Sequence, residues 1–265
     1  MTIPPTNIET VETVETSMSY TLEGPADAPV LMFSNSLGTT MSLWESQARA
    51  LRTQYRILRY DTRGHGGSPG AGDNPTLAQL GRDVLNLLDR LALDKVSFCG
   101  ISMGGIIGLW LGIHAGDRLQ RLIVANTAAK IGSADGWRSR AAQVAGNGMD
   151  AVADGASGRW FTPAFIARSP ALVDAMISEL RHTPADGYAA CCMALADADL
   201  RDRIALIEAP TLIIAGRDDP VTTVDDARFL REKIAGADYI ELAASHLSNI
   251  EADGDFTAAV AKFLA

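Results

Sequence analysis

Between an apolar run ending at Cys99 and another beginning at Gly105, the chain reads Gly100-Ile101-Ser102-Met103-Gly104. The first run has the length and composition of a buried strand, and the second, Gly105-Ile106-Ile107-Gly108-Leu109-Trp110, opens a helix. A chain that passes from strand to helix in so few residues bends so sharply that side chains on its two flanks would collide. Glycine at both flanks removes the collision, and the serine hydroxyl is left exposed at the helix N-terminus. The segment constrains the fold as well as the chemistry, because it requires a strand-turn-helix unit around it.

The surrounding sequence supplies such units. Short runs rich in Val, Ile, Leu and Phe at residues 30–34, 55–60, 95–99, 119–125, 211–215 and 238–242 alternate with helical patterns, as in a buried, mostly parallel sheet. Leu77, Leu80, Val84, Leu87 and Leu91 recur at three- and four-residue steps on one helix face, with Asn74 and Pro75 as the expected start. The class is α/β, with helices flanking the sheet. From residue 128 to 199 the rhythm breaks: no strand is evident, and Gly146, Gly148, Gly155, Pro163, Pro170 and Pro184 punctuate short helical pieces. We expect a core of residues 1–127 and 200–265, with residues 128–199 inserted between two core strands as a helical lid over the strands' carboxyl ends.

A serine hydroxyl is a weak nucleophile near neutral pH and needs a base, most often histidine. Of the four histidines, His114 falls in the helix after the turn, His182 in the lid, and His65 on a glycine-rich loop. His246 follows the last strand and comes after Ser102 in chain order, the order expected for a base of this kind. An acid to orient it should stand after the strand at 211–215, where Gly216-Arg217-Asp218-Asp219-Pro220 offers two candidates. A tetrahedral oxyanion needs two donors. The backbone N–H of Met103 is one; the other is that of Leu37, in Asn35-Ser36-Leu37-Gly38-Thr39-Thr40, with Ser36 as its rival.

With these residues placed, the chain resembles an α/β-hydrolase, and more closely the 3-oxoadipate enol-lactonases. Besides the serine turn, the resemblance rests on Ser34-Asn35-Ser36-Leu37-Gly38, Asp61-Thr62-Arg63-Gly64-His65-Gly66, Ala125-Asn126-Thr127-Ala128, Arg159-Trp160-Phe161-Thr162, Gly187-Tyr188-Ala189-Ala190-Cys191-Cys192 and His246-Leu247-Ser248-Asn249-Ile250-Glu251. It covers nearly the whole chain, although residues 1–8 make a longer N-terminus than usual. In related proteins the acid stands three residues after the glycine, which selects Asp219 and leaves Asp218 as the alternative. The resemblance implies hydrolysis of an anionic enol-lactone through an acyl-enzyme on Ser102, without cofactor or metal. It also implies a cationic partner for the substrate carboxylate. Arg138 is the choice, with Arg159 and Arg181 as rivals, and Trp137, Trp160 and Tyr188 are further candidate contacts.

Composition narrows the partners. A net charge of −9, spread without long like-charge blocks, disfavours nucleic acid and acidic membranes. No apolar run approaches the roughly 18 to 20 residues of a spanning helix, and residues 1–16 lack the basic start and apolar stretch of a secretory signal, so a cytoplasmic protein is expected. Three cysteines make no disulfide framework, and no metal-ligand spacing occurs. Oligomeric state is not legible. Three other functions share these residues: a carboxylesterase with another small substrate, a cofactor-free perhydrolase, and a receptor that keeps the pocket without turnover.

Overall fold

The computed structural model describes residues 8–12, 17–70 and 74–265; most of the extra N-terminus at residues 1–8 lies outside the described residues. One sheet contains β1 (Glu9–Glu12), β2 (Ser17–Glu23), β3 (Val30–Ser34), β4 (Arg56–Tyr60), β5 (Val96–Ile101), β6 (Leu119–Ala125), β7 (Thr211–Gly216) and β8 (Asp238–Leu242). Their order is β1-β2-β4-β3-β5-β6-β7-β8. The six expected runs form the parallel part. Every residue of β3 and β5 is buried, as strands covered on both faces require.

Sequence reading missed the antiparallel edge made by β1 and β2. Its signal differs from that of the parallel strands. In β2, Met18, Tyr20 and Leu22 alternate with Ser17, Ser19, Thr21 and Glu23, a period of two in place of a continuous apolar run.

The helices are α1 (Glu45–Leu51), α2 (Leu77–Arg90), α3 (Met103–His114), α4 (Ala134–Asn147), α5 (Asp150–Asp154), α6 (Ser157–Trp160), α7 (Pro163–Arg168), α8 (Pro170–Arg181), α9 (Ala185–Asp197), α10 (Val224–Lys233), α11 (Ser248–Glu251) and α12 (Asp253–Leu264). On α2, Leu77, Leu80, Val84 and Leu87 are buried, each such side chain contributing about 1.5–3 kcal/mol. The helix starts later than expected from Asn74 and Pro75. Thr76 is its cap, and its hydroxyl accepts the Gln79 N–H at 3.1 Å. Ten residues of α3 are buried, so the helix that follows Ser102 is packed on nearly all sides.

Helices α4 to α9 all fall between β6 and β7. Where this insertion leaves and rejoins the core, the Leu200 N–H donates to the Ala129 carbonyl at 2.8 Å. Helices α4 and α9 pack together. At the start of α9, Gly187 meets Gly64 backbone to backbone, and a Cβ on either would collide with the other. Among the described residues, no helix is long and apolar enough to cross a membrane.

Candidate active site

Ser102 sits between β5 and α3 with φ 54° and ψ −115°, a backbone conformation that L-residues rarely hold. The surroundings over-determine it. Its N–H donates to the Ala125 carbonyl at 2.9 Å, and its own carbonyl accepts the Thr127 hydroxyl at 2.8 Å. A Cβ on Gly104 would strike the Ser34 carbonyl, and one on Gly100 would strike the Gly104 carbonyl. The turn therefore needs both glycines for the close approach of β5, α3 and the end of β3.

His246, on the loop after β8, brings Nε2 to 2.9 Å from Ser102 Oγ, and its Nδ1 lies 2.8 Å from Asp219 Oδ2. Asp219 is buried at the end of β7. Burial alone would raise its pKa, but His246 together with hydrogen bonds from His246, Asn126 and Thr222 outweighs that effect and holds the carboxyl below its ordinary value. Its other oxygen accepts the amides of Val221 at 2.8 Å and Thr222 at 3.1 Å. A carboxylate at Nδ1 fixes the proton on that nitrogen and leaves Nε2 to accept from Ser102. Asp218 is exposed.

Two backbone amides near Ser102 have neighbours whose hydrogen bonds are already committed. On one side, Gly38 N–H donates to His65 Nε2 at 3.0 Å and Thr39 N–H to the Ser36 carbonyl at 3.2 Å; on the other, Gly104 N–H donates to the Asn35 carbonyl at 2.9 Å. Between these, the amides of Leu37 and Met103 have no partner among the described residues.

A cavity of about 260 Å³ opens over Ser102 and His246. Its opposite wall belongs to the insertion and carries Trp137, Arg140, Arg159, Trp160 and Tyr188. Arg140 lies over the Trp137 ring, 4.9 Å from its centroid. Arg159 donates to the Val152 carbonyl at 2.8 Å, and burial, with Arg140 close by, lowers its pKa. Neither guanidinium has a carboxylate partner among the described residues, so two cations face one cavity without a counter-ion.

The comparisons with known proteins agree with this architecture. The serine aminopeptidase S33 family pattern matches residues 25–242. The 3-oxoadipate enol-lactonase 2 of Acinetobacter baylyi is 46% identical over 252 residues, covering 95% of this chain and 94% of its own. The 3-oxoadipate enol-lactonase 1 of the same organism is 48% identical over 235 residues, covering 89% and 88%. The chain belongs to the enol-lactonase family of α/β-hydrolases. A crystal structure of the enol-lactonase from Burkholderia xenovorans LB400 superposes with a TM-score of 0.95 at 42% identity, covering 97% of this chain and 99% of that one. As a member of that family the chain is a carboxylic ester hydrolase.

Within this enol-lactonase family member, one expected residue falls outside the cavity. Arg138 is exposed and pairs with Asp197 at 2.7 Å and with Asp135 at 3.8 Å. On α4, Trp137 and Arg140 are three residues apart and share a face, whereas Arg138 is turned about 100° away. The three-residue step from Trp137 was the signal that would have found Arg140. Arg181 is likewise exposed and bound to Asp150 and Asp154, leaving Arg159 as the rival that reaches the cavity.

Two residues that the sequence reading gave no part in the chemistry support the site. Asn126, with φ 44°, donates to Asp219 Oδ2 at 2.9 Å and to the Ser245 carbonyl at 3.1 Å, and its oxygen accepts the Ser248 hydroxyl. His65 is wholly buried, and burial pushes its pKa down to about 4, so its neutral ring can accept the Gly38 N–H. Among the described residues, no cluster of His, Cys, Asp and Glu could hold a metal ion.

Proposed function

We propose that the chain hydrolyses 3-oxoadipate enol-lactone to 3-oxoadipate through an acyl-enzyme on Ser102. The observation that carries this reading is the pairing, across one cavity, of a hydroxyl in bonding reach of a histidine with two guanidiniums that lack a counter-ion among the described residues. The first pair attacks an ester carbonyl. The second receives the carboxylate that distinguishes this lactone from a neutral ester.

Ser102 Oγ adds to the lactone carbonyl while His246 Nε2 takes its proton, and Asp219 stabilises the imidazolium that results. The oxyanion accepts hydrogen bonds from the Leu37 and Met103 amides. As the intermediate collapses, the ring C–O bond breaks and the imidazolium protonates the departing enol oxygen. That oxygen stays tethered to the acyl chain, so ring closure competes with hydrolysis at high effective concentration. Ketonisation removes the competitor. His246 then deprotonates a water that adds to the acyl carbon, and as the bond to Ser102 Oγ breaks the imidazolium returns the proton to Ser102.

Helices α4 to α9 act in this reading as a lid that supplies recognition: Arg140 and Arg159 hold the carboxylate, with Trp137, Trp160 and Tyr188 around the ring. The same reading takes the enzyme to work in the cytoplasm.

Freshly generated enol-lactone, followed by its ultraviolet absorbance, tests the reading. Wild-type protein accelerates decay of the lactone and Ser102→Ala leaves it near background. Wild-type protein that ignores the lactone while cleaving p-nitrophenyl acetate would point to another ester, and undiminished turnover by Ser102→Ala would remove the acyl-enzyme.

A further inference from the structure

We propose that Glu251 is a positioning residue that ties the reach of His246 to the seating of the lid. The residue lies at the end of α11, away from the cavity, and forms no ion pair among the described residues. One of its carboxylate oxygens accepts the Ser245 N–H at 2.9 Å and the Thr162 N–H at 3.2 Å. The other accepts the Thr162 hydroxyl. Three donors from two segments converge on one side chain, and only an ionised carboxylate presents acceptors alone to all of them. A glutamine would aim its NH₂ at one of the donors.

The two segments are those that matter for turnover. Ser245 immediately precedes His246, and on the other side of the imidazole the Leu247 N–H donates to the Trp160 carbonyl at 3.0 Å. The Ser245 hydroxyl also bonds the Asp218 carbonyl at 3.2 Å and lies 3.5 Å from that of Arg159. His246 is therefore bracketed by bonds to the stretch that contains Arg159, Trp160 and Thr162, and the first two of these line the cavity. Withdrawing that stretch would strip the buried Leu247 amide of its acceptor and take from Glu251 the two Thr162 donors, which the fold resists. The segment that meets the substrate and the loop that carries the base thus move as one unit. This inference rests on the reading that Ser102 and His246 perform the reaction.

The test is steady-state kinetics on the enol-lactone for Glu251→Gln, Glu251→Ala and Thr162→Val. Active enzyme is counted from the end point of fluorophosphonate labelling, so that loss of folded protein is not mistaken for loss of rate. A displaced general base predicts kcat per labelled site lowered on the order of tenfold for Glu251→Gln and more for Glu251→Ala, with KM changed less than about twofold. Thr162→Val lowers kcat in the same direction by less, and adds little in the Glu251→Gln background because both substitutions break one cluster. Normal kcat per labelled site in Glu251→Gln overturns the proposal, as does a defect confined to KM. If Glu251→Ala does not fold, the Glu251→Gln and Thr162→Val pair decides. Unimpaired turnover by Ser102→Ala would instead refute the underlying mechanism, so the two failures are distinguishable.

Discussion

On one side of the cavity, Ser102, Asp219 and His246 stand on loops that leave parallel strands, and their positions follow from backbone. Sheet register, the two glycines of the serine turn and short loops after β7 and β8 leave each side chain little freedom. On the other side, Trp137 and Arg140 come from α4, Arg159 from α6 and Tyr188 from α9, and they are positioned by side-chain contacts, such as Arg140 over Trp137 and Arg159 on the Val152 carbonyl. The first wall is suited to chemistry, which tolerates little displacement. The second is suited to recognition, and it can change with substrate without disturbing the sheet.

If this division holds, substitutions on the two walls should separate in kind as well as size. The largest effects belong to the strand side. Ser102→Ala is expected to lower kcat on the enol-lactone by about ten-thousandfold or more, and Asp219→Asn by about ten-thousandfold, with KM little altered. The exposed Asp218→Asn should stay within about twofold of wild type, and a large loss there in stopped-flow assays would reassign the acid.

His65 gives a stability signature on the same wall. Its pKa is near 4 when folded against the ordinary 6.5, so unfolding takes up a proton between these values. Stability is then full above about pH 6.5 and falls as the pH drops toward 4, by a few kcal/mol at most. Urea unfolding across that range checks this, and His65→Gln should flatten the slope. An equal slope in the variant would assign the acid sensitivity elsewhere.

The insertion wall should answer in KM. Arg159→Ala and Arg140→Ala are each expected to raise KM for the anionic lactone about tenfold or more, and to leave a neutral ester of similar size almost unchanged. Equal effects on both esters would take the arginines out of carboxylate binding. The smallest effect is that of Arg138→Ala. Its exposed ion pairs contribute little, and both KM and melting temperature should stay close to wild type.

Legibility in the sequence follows the same division. The serine turn could be read because its glycines answer steric demands of adjacent residues, and the parallel strands because complete burial leaves continuous apolar runs. Strand β2, antiparallel and one in from the edge, obeys a different period and was missed, although Met18, Tyr20 and Leu22 carried its signal. Arg138 and Arg140 differ only in the side of α4 they occupy, which composition does not reveal. Asn126 was visible only as part of a family resemblance. Nothing local marks it as the donor to an aspartate 93 positions away.

The sequence alone determined the sharp turn at Ser102, the alternation that makes the sheet, and the chain order of serine, acid and histidine, because these depend on covalent neighbours and short-range sterics. Only the tertiary structure decided that Arg140 and Arg159 face the cavity, that His65 secures the loop bearing Leu37, and that Asn126 and Glu251 hold the acid and the histidine loop. Each of those relations, the six-residue step from Ser245 to Glu251 excepted, depends on residues far apart in the chain. It exists only once helix faces and loop ends have been fixed by packing.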